Sequence, residues 1–181
     1  MAVGIKDELE KLTTLQGSDF VEQLKQIALR KEFHALDTDA DIFIVGGEKD
    51  KDFPSLLNNA RKAVEHGYRV YILPNPHDFR TADYIFERRG VYKLFDLKNI
   101  SGKSIVGSRL VESIGQANRV LLNMPPGYST RLLAADIKSY FSYNDEVLEV
   151  LIFKGKREIS IYRRFAQNPR FYAEFKKIYE R

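Results

Sequence analysis

Apolar positions along the chain switch period several times. Ile5, Leu9 and Leu12, then Phe20, Leu24, Ile27 and Ala28, recur at three- and four-residue steps, which predicts that the first ~35 residues are helical. Asp19 and Glu22 have the spacing of a capping box for the second of these helices. Leu36 to Asp41 is polar and turn-like, so residues 1–36 read as a helical extension and 37–181 as the main domain. From there short apolar runs alternate with helical patterns. Strands are expected at 42–45, 68–73, 81–86, 91–97, 119–123, 147–153 and 159–162. Helices are expected after Pro54, Ser104, Ser129 and Asn168-Pro169. Interleaved strands and helices with hairpins between them predict an α/β (α+β) fold with a central mixed sheet flanked by helices.

One hairpin stands apart. Thr81–Phe86 and Val91–Leu97 flank Glu87-Arg88-Arg89-Gly90, and Gly90 can adopt positive φ. A tight turn on Arg89-Gly90, or a four-residue loop from Arg88 to Val91, pairs Arg88 with Val91, Ile85 with Leu94 and Asp83 with Asp96. A three-residue loop with a bulge would shift the pairing by one. Two facing Cβ atoms lie about 4.5–5.5 Å apart, and like charges so placed repel. Alternation puts Lys98 on the face of Asp96. Asp96 also lies in the apolar run Leu94-Phe95-Asp96-Leu97, where a carboxylate needs a partner, a proton or a cation. Two acids and an ammonium in that order suit a divalent metal, probed first as Mg²⁺, with Asp83 and Asp96 as ligands. Lys98 then stabilises an attacking hydroxide or the charge growing on a phosphodiester. The alternative is two solvated acids and an ordinary surface lysine.

Composition narrows the class. Hydrophobic residues make up 44% of 181, ample for a core. Cysteine is absent, which excludes a disulfide framework and a thiolate metal site. No apolar run has the length of a membrane span, and the N-terminus lacks a signal-peptide core, so the expected location is the cytoplasm. The three histidines, His34, His66 and His77, have no metal-ligand spacing. Gly46-Gly47 is not followed by the Lys-Ser/Thr of a phosphate-binding loop. The net charge of +4 is uneven: Lys154–Arg181 carries nine Lys/Arg against three Glu, leaving −2 on the rest. Arg163, Arg164 and Arg170, among aromatics, are candidate contacts to a nucleic-acid backbone. The competing reading is an amphipathic terminal helix with solvated cations.

The order of these motifs resembles the C-terminal tRNA nuclease domain of contact-dependent growth inhibition toxins, and related toxin-like nuclease domains of phages and mobile elements. The segments that carry it are His66–Pro74, Ala82–Phe86, Phe95–Lys98 and Gln116–Asn123, within a general PD-(D/E)xK layout spanning roughly residues 41–162. The resemblance implies a nuclease that hydrolyses phosphodiester bonds in RNA, tRNA above all, with a cognate inhibitor protein as partner. It places the two acids on Asp83 and Asp96, the lysine on Lys98, and a polar residue near the active centre on Gln116. Ser101, Lys103 and Ser104 would lie beside the phosphate. The chain departs from the family pattern on the helix before the hairpin, where an extra acid is usual: the inward positions are apolar or Asn59 and Ala60, and Glu65 lies a turn and a half later. Two alternatives follow: a non-catalytic module that binds nucleic acid or a partner, and a metal-independent RNase that uses Lys, Arg and the substrate 2′-OH.

Overall fold

Alternating and helical periods sort into eight strands and seven helices among the described residues, 4–46, 51–74 and 81–181 of a computed structural model. Each strand pairs with the next in sequence. The strand pairs Ile42–Val45 with Arg69–Ile72, Val91–Asn99 with Arg119–Met124, and Arg119–Met124 with Glu149–Lys154 are parallel and the other four antiparallel, which makes the mixed α/β arrangement expected from the interleaved pattern. The backbone divides into two compact units, Met1–Phe95 and Asp96–Arg181. Gly47 of the Gly46-Gly47 pair, with the three residues after it, and the segment holding His77 lie outside the described residues.

The first unit opens with α1 (Ile5–Lys11) and α2 (Gly17–Ala28). Leu9, Leu24 and Ile27 are buried, as their spacing requires. Helix α2 begins at Gly17, with Gln16 at its N-cap, so Asp19 lies inside the first turn and the expected capping box is not made. Helix does not persist to residue 35 either. Phe33–Ala35 forms β1, antiparallel to β2 (Ile42–Val45). Phe33 explains the switch, since its ring meets Tyr71 edge-on at 5.4 Å, a contact available only from the sheet.

Helix α3 (Phe53–Glu65) carries Pro54 in its first turn and buries Asn59, Ala60 and Ala63, the first two at positions expected to face inward. Strands β3 (Arg69–Ile72), β4 (Tyr84–Arg88) and the first half of β5 (Val91–Asn99) follow. The Tyr84 hydroxyl donates to the Leu56 carbonyl at 2.7 Å and ties β4 to α3. The β4–β5 turn has the anticipated two-residue form. Arg89 and Gly90 both take positive φ, 55° and 79°, and Arg88 pairs with Val91 and Ile85 with Leu94. The ladder closes at Tyr84–Phe95, one step short of Asp83. The Asp83 amide donates to the Phe95 carbonyl, and its own carbonyl accepts from Leu73.

The second unit contains the rest of β5, then α4 (Val106–Val111), β6 (Arg119–Met124), α5 (Thr130–Tyr143), β7 (Glu149–Lys154), β8 (Arg157–Tyr162), α6 (Arg163–Ala166) and α7 (Phe171–Tyr179). Val120, Leu122, Val150, Ile152, Ile159 and Ile161 form one sheet face, packed under Leu110, Leu133, Ile137 and Phe175 from the helices. Asp96 aligns with Val120 and Lys98 with Leu122 across the parallel β5–β6 ladder, so both side chains share this helix-covered face.

Candidate active site

Asp96 and Lys98 are two residues apart on a strand, and alternation brings their side chains to one side. Both are buried, at 2% and 8% exposure. Lys98 Nζ lies 3.2 Å from Asp96 Oδ2. The same oxygen accepts a 2.6 Å hydrogen bond from the Ser113 hydroxyl. Beyond the lysine lies Glu112, whose Oε2 is 3.7 Å from Lys98 Nζ and 2.7 Å from Arg109 Nη1. Two carboxylates and two cations therefore alternate from the buried interior to the surface. Tyr140 lies in the same core, fully buried, and its hydroxyl finds no well-formed hydrogen bond among the described residues. Burial pushes this hydroxyl up to about 12, with Asn144 acting against the shift and Tyr143 and Asp96 adding to it. Tyr140 is a protonated donor at neutral pH.

Ser113, Glu112 and Arg109 escaped the sequence reading. They sit on or just after α4, too short a helix to show a clear periodic face. What fixes α4 is borrowed from elsewhere. No side chain of its own caps it. The Val106 amide donates to the Tyr128 hydroxyl at 3.2 Å and the Gly107 amide to Asp136 Oδ2 at 3.0 Å. A Cβ on Gly107 would lie 3.1 Å from Asp136 Oδ1 and 3.2 Å from its Cγ. Asp136 cannot retreat without leaving the amide of that same residue. Gly107→Ala is therefore expected to destabilise the protein by about 1 kcal/mol, despite alanine's better helix propensity, as read by urea unfolding. Unchanged or raised stability would show that Asp136 is not a fixed cap.

The remaining sequence-predicted residues fall in different surroundings. Gln116 turns back, its amide nitrogen donating to the Glu112 carbonyl at 2.5 Å, and so borders the cluster through the backbone. Ser101 and Ser104 bond each other, Oγ to Oγ at 2.9 Å, and the Ser101 amide donates to Ser104 Oγ. That pair closes a turn rather than capping α4. Lys103 is exposed beside it. Arg163 is committed to structure, its guanidinium donating to the carbonyls of Phe141, Asn144 and Val147. Arg164 is exposed, and Arg170 is exposed and 3.5 Å from Glu174. Asp83 is half-buried and belongs to the first unit.

A second buried carboxylate was also missed. Glu149, 1% exposed, pairs with Arg119 at 2.5 Å and accepts from the Ser160 hydroxyl. Arg119 aligns with Glu149 on β6–β7, one residue out of phase with Val120, so this pair lies on the opposite sheet face from Asp96. Its partners complete it as a structural ion pair.

The donors suit a hard cation in part. Mg²⁺ is commonly held by one or two carboxylates with water and substrate phosphate making up the rest. Asp96 offers one such carboxylate, and no group of three acidic, histidine or cysteine side chains converges among the described residues. No helix among them is long and apolar enough to cross a membrane. No protein-family model matches the chain, and no curated protein matches it. Among solved structures it is similar to the CdiA-CT/CdiI toxin and immunity complex from Burkholderia pseudomallei, at 17% identity and a TM-score of 0.47, over 66% of this chain and 98% of that one.

Proposed function

We propose that the protein is a nuclease that hydrolyses phosphodiester bonds in RNA, with Asp96 and Lys98 at its centre. One observation carries this reading: a buried carboxylate and a buried ammonium 3.2 Å apart on one sheet face. Burying that pair is costly for stability alone, and such pairs concentrate where chemistry needs them. Ser113 holds Asp96 through Oδ2. Lys98 faces charge building on the phosphate and stabilises it where water is scarce. Bound Mg²⁺ would be held by Asp96 and would polarise the phosphate and acidify its water. Choosing tRNA as substrate, with a protein inhibitor as partner, follows the motif order of the sequence.

A second reading, metal-independent cleavage through the substrate 2′-OH, is favoured by the ammonium that already neutralises Asp96. One assay separates the two. Purified protein is incubated with tRNA in Mg²⁺ or in EDTA, and the products are resolved on a gel. Cleavage in Mg²⁺, lost in EDTA and reduced at least ~100-fold by Asp96→Asn, is expected. Cleavage that persists in EDTA while 2′-deoxy substrates resist establishes the second reading. Salt-sensitive binding without products under any metal makes the chain a binding module, and unchanged cleavage by Asp96→Asn removes the site.

A further inference from the structure

Lys98 lies between two carboxylates of different character. On one side is buried Asp96; on the other is Glu112, whose side chain is 45% exposed. A single Glu112 oxygen, Oε2, is approached by both Lys98 Nζ, at 3.7 Å, and Arg109 Nη1, at 2.7 Å. An anionic oxygen at the surface is thus cradled by an ammonium and a guanidinium that reach it from a strand and a helix. A non-bridging phosphate oxygen has the same charge and the same appetite for charge-assisted hydrogen bonds. We propose that Lys98 and Arg109 form the fork that binds the RNA phosphate, and that Glu112 stands in for that phosphate until substrate displaces it. This rests on the nuclease reading and adds to it a binding residue, Arg109, and an internal competitor, Glu112.

The energetics allow the exchange. Arg109 and Glu112 are three residues apart and both partly exposed, so their pair is weak and screened. Arg109 presents a planar fork that a phosphate can engage by two oxygens at once, which one carboxylate oxygen does not use. Neutralising Glu112 removes the competitor and leaves both cations in place. The backbone of Glu112 stays anchored by Gln116, so the substitution need not disturb the chain.

The test is equilibrium binding of a short fluorescent 2′-O-methyl RNA in EDTA, where no cleavage interferes. Glu112→Gln should bind about fivefold more tightly than the unaltered protein. Arg109→Gln should bind about tenfold more weakly and lower the slope of log K against log salt by about one. In the Arg109→Gln background, Glu112→Gln should gain little, since half of the fork is gone. Circular dichroism verifies the fold of each variant. Weaker or equal binding by Glu112→Gln overturns the proposal, as does failure of every form to bind. A protein that cleaves RNA but shows no gain in Glu112→Gln keeps the nuclease reading and loses the fork. One that gains but never cleaves keeps the fork and loses the nuclease.

Discussion

Lys98→Met is expected to lower the unfolding free energy by about 3–5 kcal/mol and to abolish RNA cleavage. Asp96 is 2% exposed, and without the ammonium its charge is left, among the described residues, with the Ser113 hydroxyl. Asp96→Asn should be milder, at about 1–2 kcal/mol, because the amide oxygen still accepts from Ser113. In that variant Lys98 retains Glu112 at 3.7 Å, so its charge is not stranded. The asymmetry is diagnostic: the loss follows from leaving a carboxylate unpaired in the interior. Combining the two substitutions should recover about 1–3 kcal/mol relative to their sum. Urea unfolding followed by circular dichroism measures all three. Equal losses for the two single variants with strict additivity would mean that the pair is not energetically coupled. Cleavage, assayed where each variant remains folded, should be absent from both single variants, which separates a chemical role from a purely structural one.

The part of this centre carried by local rules was legible. Gly90 announces a turn, β-formers flank it, and the register from Arg88–Val91 to Ile85–Leu94 follows from a two-residue loop. Period-two alternation alone puts Asp96 and Lys98 on one face. The limits appear where local rules end. The ladder stops at Tyr84–Phe95, so the step to Asp83 is not a ladder pair. Ser113, Glu112 and Arg109 reach the strand through α4, which is held by Asp136 and Tyr128 from 29 and 22 residues further along. No spacing in α4 encodes that anchoring. Phe33 shows the same override of a local signal: helical patterning up to Ala28 says nothing of the ring's place against Tyr71. Glu149 was invisible for a related reason, since its partner Arg119 is 30 residues away and meets it only through parallel strand pairing.

The basic C-terminal stretch separates by the same logic, and Arg163→Ala gives the second large effect. In sequence, Arg163, Arg164 and Arg170 are equal candidates for RNA contact. In the fold, the Arg163 guanidinium reaches the Phe141 carbonyl at 2.5 Å, Asn144 at 2.8 Å and Val147 at 2.9 Å. Phe141 is in the last turn of α5 and Asn144 is its C-cap, so these are carbonyls that the helix leaves unpaired. Positive charge at that end also meets the negative pole of the helix dipole. At a net of about 1 kcal/mol per bond, Arg163→Ala should cost about 3 kcal/mol. Arg163→Lys should still cost about 2 kcal/mol, because one ammonium cannot span three carbonyls as the planar fork does. Arg164→Ala, at an exposed position, should change stability by less than about 0.5 kcal/mol. RNA binding should show the reverse order. Arg164→Ala and Arg170→Ala should weaken it and flatten its salt dependence, while folded Arg163→Ala binds as the unaltered protein does. A stable Arg163→Ala with lowered RNA affinity would return that arginine to the substrate surface and take it out of the helix cap.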